Sequence, residues 1–187
     1  MTLRLKEKFD STVAPKLDEQ FGIGNKLARP KLEKIIINVG MGKELDGTKV
    51  KANVRDQVLA DITAIAGQKP VMIKARKSVS NFKVREGYMT HAMVTLRGEK
   101  MWEFLDRLIS IAIPRVKDFR GLSDKSFDPA GNYSFGIREQ GIFPEIDMAK
   151  ATYNHGFNVN VVMKNSSPDK SRFVLAELGW PFQREDD

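Results

Sequence analysis

The chain has 187 residues, of which 41% are hydrophobic, and a formal net charge of +7. It contains no cysteine, which excludes disulfides, thiolate metal sites and a cysteine nucleophile. Its apolar runs are far shorter than the roughly 20 residues of a membrane-spanning helix, so we expect no membrane partner. The length and the hydrophobic fraction predict one globular domain, which we expect in the cytoplasm.

The positive charge is concentrated in the middle of the chain. Residues 68–120 hold twelve basic and five acidic residues, whereas residues 121–187 hold seven basic and ten acidic ones. The densest stretch is KARKSVSNFKVREGY at 74–88, with five bases and one acid. Such a stretch is either a solvated face or a surface that meets a polyanion.

Periodicity predicts the first elements. Apolar residues at every fourth position from Leu5 to Phe21 predict a helix that Pro15 kinks and Gly22 ends. A run rich in β-branched residues predicts a strand at 34–42. A second amphipathic helix follows at 54–65, with Gly67 as its stop.

The same signals continue to the end of the chain. They predict strands at 70–74, 90–98 and 157–164, a helix at 101–112 that Pro114 kinks or ends, and a final helix capped by Ser167. Residues 74–88 are too charged and irregular for a core element, so we interpret them as a long connection. Residues 117–145 are interpreted as an excursion built around a hairpin.

The order of these elements predicts an α+β fold. We expect a mainly antiparallel sheet with helices on one face and the other face open. Strand parity places Ile37 on the packed face and Asn38 and Gly40 on the open one. The open face also holds Lys34, Thr95 and Arg97. It is either a solvated surface with a bulge at Gly40 or a surface approached by a polar partner.

Motifs for catalysis and metal binding are weak. His91 and His155 have no Ser or Asp partner at a recognisable spacing. The stretch GMGKELDG fails both phosphate-loop patterns, and Asp124, Asp128 and Glu145 lack calcium-loop spacing. We therefore predict no enzyme activity, no catalytic residue, no metal and no cofactor. RNA fits the charge better, although THAMVTLRG lacks the stacking aromatics of an RNA-recognition motif.

Several long segments resemble the bacterial ribosomal protein L five family. They are KIIINVGMG, GQKPVMIKARKSVSNFKVREGY, VTLRGEKMWEFLDRLISIAIPRVKDFRGLSDKSFD, GNYSFGIREQGIFPEI and GWPF. The resemblance spans nearly the whole chain, as a single domain over 1–187. It implies a non-enzymatic protein of the large ribosomal subunit that anchors 5S rRNA in the central protuberance, touches peptidyl-site tRNA and bridges to small-subunit protein S thirteen. 23S rRNA and neighbouring 5S rRNA-binding proteins are further implied partners.

Three sets of site residues follow from this resemblance. The 5S rRNA surface maps to Lys34, Asn38, Gly40, Gln68, Lys69, Thr95 and Arg97. The loop that contacts tRNA or rRNA maps to Lys74, Arg76, Lys77, Ser78, Asn81, Phe82, Lys83, Arg85 and Tyr88. The bridge region maps to Arg120, Asp124, Lys125, Arg138 and Glu139.

The sequence departs from the family pattern at three places. Ile73 stands where threonine is common, YMTH at 88–91 replaces Tyr-Pro-Ile-Gly, and FDPAGNY at 127–133 lacks an arginine and a glycine. A free-standing regulatory RNA-binding protein is the second hypothesis, and a nucleotide-handling enzyme is the third. Both would sediment mainly in the soluble fraction, whereas a ribosomal protein travels with the large subunit.

Overall fold

The computed structural model describes residues 3–42, 45–47 and 49–183, so the acidic tail at 184–187 lies outside the described residues. The helices are α1 Arg4–Lys8, α2 Ala14–Phe21, α3 Ala52–Ala66, α4 Gly98–Arg107 and α5 Pro168–Leu178. The strands are β1 Lys31–Gly40, β2 Leu45–Asp46, β3 Lys49–Val50, β4 Val71–Lys74, β5 Met89–Leu96, β6 Tyr133–Ile137 and β7 Phe157–Lys164.

Proline shapes both long helical segments. A π-helical turn, Phe9–Val13, joins α1 to α2 immediately before Pro15. A second π-helical turn, Leu108–Ala112, follows α4 and leads into a short 3₁₀ helix that contains Pro114. Proline has no N–H to donate to the preceding turn, so the helical hydrogen-bond ladder changes its spacing there. The predicted stop at Gly22 is confirmed, because this glycine takes a left-handed conformation with φ +63°.

The five-stranded antiparallel sheet has the order β4-β5-β1-β7-β6, which confirms the predicted α+β class. Within β4 and β5 the paired residues include Val71 with Met93 and Ile73 with His91. The small β2–β3 ribbon and the edge strand β6 were not predicted. Strand β6 lies inside the glycine-rich excursion and is only five residues long, so its local pattern is weak.

Contacts divide the chain into two compact units. The helical unit comprises Met1–Ile35, Arg97–Phe135 and Asn160–Asp187, and the central unit comprises Ile36–Leu96 and Gly136–Val159. In the central unit, α3 packs on β5 through buried apolar side chains such as Val58 and Ile62. In the helical unit, α1 packs on α4 and α2 on α5.

The excursion, residues 117–145, contains a tight hairpin. Phe127 and Tyr133 form an antiparallel bridge. At the turn, the Asp128 carboxylate accepts hydrogen bonds from the side chain and the backbone N–H of Asn132, at 2.8 and 2.7 Å. These bonds, led by the one from the side chain, lower the pKa of Asp128. The predicted hairpin therefore has its own hydrogen-bonded turn.

Aromatic packing fixes this hairpin within the helical unit. Tyr133 is fully buried, and its ring lies 4.7 Å from the Phe127 ring and 5.6 Å from the Trp180 ring, centroid to centroid. Its hydroxyl donates to the Ser123 carbonyl at 2.6 Å, and burial raises its pKa. Each such aromatic pair stabilises the fold by about 0.5–1.5 kcal/mol beyond the area that it buries.

Ser167 occupies the predicted N-cap position of α5, but its side chain makes no capping hydrogen bond. The prediction of a side-chain cap was wrong. Instead, the Ser167 carbonyl accepts from the Ser171 N–H at 2.9 Å. The same stretch lies against Gly131, where an added Cβ would come within 2.6 Å of Ser171 Oγ and 2.9 Å of the Ser167 carbonyl.

We expect Ile37→Asp and Val94→Asp each to prevent stable folding. Both side chains are at most 2% exposed, and an uncompensated buried charge costs about 3–5 kcal/mol. Asn38→Asp is the matched control, because its side chain lies on the opposite face of β1 and is partly exposed. Thermal melting measures all three, and wild-type melting of both core variants would mean that the strand parity is inverted.

We expect Gly131→Ala to destabilise the protein more than Gly22→Ala. Both glycines have positive φ, which costs a residue with a Cβ about 1–2 kcal/mol. Only Gly131 also faces backbone at less than 3 Å, so overpacking adds about 1–3 kcal/mol there, whereas nothing lies within 4 Å at Gly22. Urea unfolding measures the difference. Equal losses of stability would show that the hairpin does not pack tightly on Ser167 and Ser171.

Candidate nucleic-acid interface

Strand β1 separates a packed face from an open face. Ile35, Ile37, Val39 and Met41 are fully buried. The alternating residues Lys34, Ile36 and Asn38 are partly exposed, and Gly40 is exposed. The predicted parity of β1 is therefore confirmed, and the side of the sheet that carries the even-numbered residues of β1 is called the open face below.

Strand β5 contributes to the same open face. Ala92, Val94 and Leu96 are buried, whereas Thr95 is partly exposed. Gln68 donates from Nε2 to the Thr95 carbonyl at 3.3 Å, which fixes its carboxamide beside β5. Of the seven residues predicted to bind 5S rRNA, Asn38, Gly40, Gln68, Lys69 and Thr95 belong to the central unit.

Lys34 and Arg97 belong to the helical unit. Arg97 is the last extended residue before α4, and its side chain is 57% exposed. Its guanidinium lies 3.7 Å from a carboxylate oxygen of Glu33, which is a long separation for an ion pair. Exposed pairs of this kind stabilise by about 0–1 kcal/mol, so the guanidinium is easily redirected to a phosphate.

Gly40 is exposed on the open face, and the ring of His91 lies beside it. A Cβ built at Gly40 would lie 3.7 Å from Cδ2 and 3.8 Å from Nε2 of His91, which is an ordinary van der Waals distance. Strand parity alone predicts that His91 lies on the same face of β5 as Thr95, and the burial pattern of β5 agrees. Its closeness to Gly40 required the tertiary structure.

Residues 74–88, called the basic loop below, form the predicted long connection, which joins β4 to β5 and contains a small hairpin. Val79 and Val84 form an antiparallel bridge, and Ser80–Phe82 form a 3₁₀ turn between them. At the base, Ala75 N–H donates to the Tyr88 carbonyl at 2.8 Å and Gly87 N–H to the Ala75 carbonyl at 3.0 Å. Local hydrogen bonds thus hold this strongly basic segment in one shape.

The cations of the basic loop point into solvent. Arg76, Lys77, Lys83 and Arg85 are exposed, and none of them makes an ion pair with another residue that the structure describes. Phe82 is 73% exposed at the tip, although large aromatic side chains are normally buried. Ser78 has a structural role, because its Oγ accepts the Glu86 N–H at 2.9 Å. Lys74 ends strand β4 and Asn81 is exposed in the 3₁₀ turn.

Tyr88, by contrast, is partly buried at the base of the basic loop. The ammonium of Lys49 lies 5.5 Å from its ring centroid, in cation–π contact. Its ring is therefore already occupied within the central unit, so among the two aromatic residues of the loop Phe82 is the better candidate for stacking on a base.

The predicted bridge residues divide into two groups. Arg120 and Lys125 are exposed in the helical unit, and Arg138 and Glu139 are exposed in the central unit. Asp124 differs, because its carboxylate pairs with Arg172 of α5 at 3.0 Å. That ion pair helps attach the excursion to α5, so Asp124 is less available to a partner than the other four residues.

His155 is structural. Its side chain is buried, and its Nε2 lies 3.1 Å from Asp61 of α3. The His155 N–H donates to Gln140 Oε1 at 2.8 Å, and Gln57 Oε1 accepts the N–H groups of Thr152 and Tyr153. This network, which the sequence analysis missed, ties residues 140–155 to α3. Within the described ranges no group of three His, Cys, Asp or Glu residues is arranged to hold a metal ion, and no helix is long and apolar enough to cross a membrane.

The chain is similar to known proteins over almost its whole length. The family model described as "Ribosomal protein L5" matches residues 25–85, and that described as "ribosomal L5P family C-terminus" matches residues 90–182. Three relatives carry the name "Large ribosomal subunit protein uL5". They come from Acidobacterium capsulatum (48% identity, 98% of this chain and 99% of the relative), Carboxydothermus hydrogenoformans (49%, 97% and 99%) and Kocuria rhizophila (47%, 97% and 94%). The chain therefore belongs to the bacterial ribosomal protein L5 family, whose members are structural, non-enzymatic proteins of the large ribosomal subunit.

Proposed function

We propose that this large-subunit protein, which works in the bacterial cytoplasm, binds 5S rRNA through the open face and helps attach it in the central protuberance. The observation that carries the proposal is the composition of that face. Asn38, Thr95 and Gln68 offer neutral hydrogen-bonding groups. Asn38 and Thr95 lie on strands whose adjacent apolar side chains are buried on the opposite face, and Gln68 donates a hydrogen bond to the Thr95 carbonyl. Carboxamides and hydroxyls suit base edges and ribose 2′-hydroxyls, which are what distinguish one RNA site from another.

In this proposal, cationic residues supply the affinity. Arg97, Lys34 and Lys69 carry positive charge, and Arg97 is only loosely paired with Glu33. Phosphate contacts release condensed counterions and dominate the strength of RNA binding, while the neutral groups orient the complex. The division between neutral and cationic residues supports recognition of a particular RNA more than general attraction to polyanions.

The basic loop has a different role in this proposal, namely contact with peptidyl-site tRNA. Its five exposed cations are not neutralised by ion pairs with the described residues, and Phe82 is exposed at its tip. An exposed aromatic ring among cations is typical of surfaces that stack on an unpaired base and neutralise nearby phosphates. The ordered hairpin reduces the entropy lost on binding, because the loop does not have to be folded by its partner.

The excursion is proposed to form the bridge to small-subunit protein S thirteen. Its exposed bridge residues are Arg120 and Lys125 in the helical unit and Arg138 and Glu139 in the central unit. Exposed charges of both signs can pair with complementary charges of a protein partner. The tight turn at Asp128 and the buried Tyr133 hold its hairpin rigidly. 23S rRNA and neighbouring 5S rRNA-binding proteins complete the proposed partners.

We expect Arg97→Ala and Asn38→Ala to weaken 5S rRNA binding without unfolding the protein. Loss of the arginine should weaken binding by about tenfold or more and reduce the log–log salt slope by about 0.7–0.9, since one phosphate contact disappears. Loss of the asparagine should cost about threefold to tenfold with an unchanged slope. Filter binding across a salt series measures both quantities.

Two variants on α3 serve as matched controls for this experiment. Asn53→Ala and Arg55→Ala remove the same side chains from exposed positions on a helix outside the open face. Their binding should equal that of the wild type. If all four variants bind alike, the open face is not the 5S rRNA surface.

We expect the combined change of Arg76, Lys77, Lys83 and Arg85 to Gln to separate the two RNA functions. The side chains are exposed, so each substitution should change stability by less than about 0.5 kcal/mol. Large subunits should still contain 5S rRNA, whereas tRNA should dissociate faster from the peptidyl site. The measurements are 5S rRNA occupancy of purified large subunits and the dissociation rate of bound tRNA.

Arg97→Ala is the reciprocal control, because it should reduce 5S rRNA occupancy more than tRNA retention. Normal tRNA retention together with severe loss of 5S rRNA in the loop variant would assign the loop to assembly. Sedimentation of the wild-type protein away from the large subunit would instead favour a free-standing regulator.

A further inference from the structure

His91 lies on the open face but is not among the residues proposed to bind 5S rRNA. His91 lies on the same face of β5 as Thr95 and is exposed. Its pairing partner in the neighbouring strand β4 is Ile73. On the other side its ring reaches β1, where Cδ2 and Nε2 would lie 3.7 and 3.8 Å from a Cβ at Gly40. The imidazole is thus in the middle of the surface, above the backbone of the central strand.

A buried hydroxyl orients the ring. Nδ1 of His91 lies 2.8 Å from Oγ1 of Thr90, and Thr90 is only 3% exposed. When one ring nitrogen is bonded in this way, the orientation of the imidazole and the role of its second nitrogen are set together. Nε2 is therefore the nitrogen that can meet an RNA group.

The neighbours of His91 favour RNA as its partner. Asn38 lies two residues before Gly40 on the same face of β1, about 7 Å along the strand, and Thr95 lies four residues after His91 on β5. The imidazole nitrogen of His91 therefore adds one more polar group to a face that already carries a carboxamide and a hydroxyl. A ribose hydroxyl can donate to an imidazole nitrogen or accept from its N–H, and a phosphate oxygen can accept from the N–H.

We propose that His91 is a further recognition residue for 5S rRNA, which hydrogen-bonds to an oxygen of the ribose–phosphate backbone through Nε2 while Thr90 holds Nδ1. This inference rests on the proposed function of the open face. Thr90 is then a positioning residue that acts through the ring.

Three variants of the full chain test the inference, with purified 5S rRNA as the probe. His91→Ala removes the ring, His91→Phe keeps a ring without nitrogens, and Thr90→Val removes only the hydroxyl that orients it. We expect binding to weaken about fivefold to tenfold for both His91 variants, as for the loss of one hydrogen bond. Thr90→Val should weaken binding about twofold to threefold, because the ring remains but is no longer held.

Thermal melting and the α3 variant Asn53→Ala serve as controls. His91 is exposed, so both of its variants should melt like the wild type. Chemical probing of the bound RNA should show one ribose that loses protection in His91→Ala and keeps it in Asn53→Ala, which a purely structural role would not produce.

The outcomes separate this inference from the proposed function. If Asn38→Ala weakens binding but His91→Ala stays within twofold of the wild type, the role of His91 is overturned and the open face stands. If His91→Phe binds like the wild type, the hydrogen bond is overturned. If the wild type does not bind 5S rRNA, the proposed function itself fails, and the inference fails with it.

Discussion

The alternation of buried and exposed side chains along β1 fixes the rest of the sheet. This strand lies in the centre of the five-stranded sheet, and four side chains, at 35, 37 and 39 and at 41 directly after its end, are fully buried. Burial of each aliphatic side chain stabilises the fold by about 1.5–3 kcal/mol. A shift of one residue would expose all four and bury Lys34 and Asn38. The core therefore fixes which polar groups appear on the open face.

The basic loop combines uncompensated positive charge with a defined backbone conformation. Its fold is held by backbone hydrogen bonds, the Val79–Val84 bridge and the Ser78 hydroxyl, none of which involves the cations. The cations can therefore change their contacts without breaking the hydrogen bonds that hold the loop. The same arrangement explains why Phe82 stays exposed, since the small hairpin has no core of its own in which to bury a ring.

The excursion differs from the basic loop, because side-chain packing holds its hairpin in place. Tyr133 is buried among other rings, and Gly131 lies so close to Ser167 and Ser171 that no side chain fits. Asp124 is drawn into an ion pair with Arg172. The exposed charges that remain, such as Arg120 and Lys125, are presented from a segment whose position is fixed by aromatic contacts within the helical unit.

Histidine shows how differently two identical side chains are used. His155 is buried, and its pairing with Asp61 attaches a long segment to α3. His91 is exposed and is oriented by a single hydroxyl. Neither role is visible in the local sequence, where both residues merely lack the neighbours of a catalytic base.

Local patterns in the sequence were sufficient to predict most of the helices and strands and the parity of β1 and β5, since a helix or strand is encoded by residues a few positions apart. Examples are the stop at Gly22, strand β7 at its full length and the burial of Ile37 opposite Asn38. The long shared segments also determined the family. Only the tertiary structure placed β6 in the sheet, laid His91 over Gly40, paired Asp124 with Arg172 and closed the basic loop into a hairpin. Most of these contacts join residues that are tens of positions apart, so they depend on strand order and packing, which local periodicity does not encode.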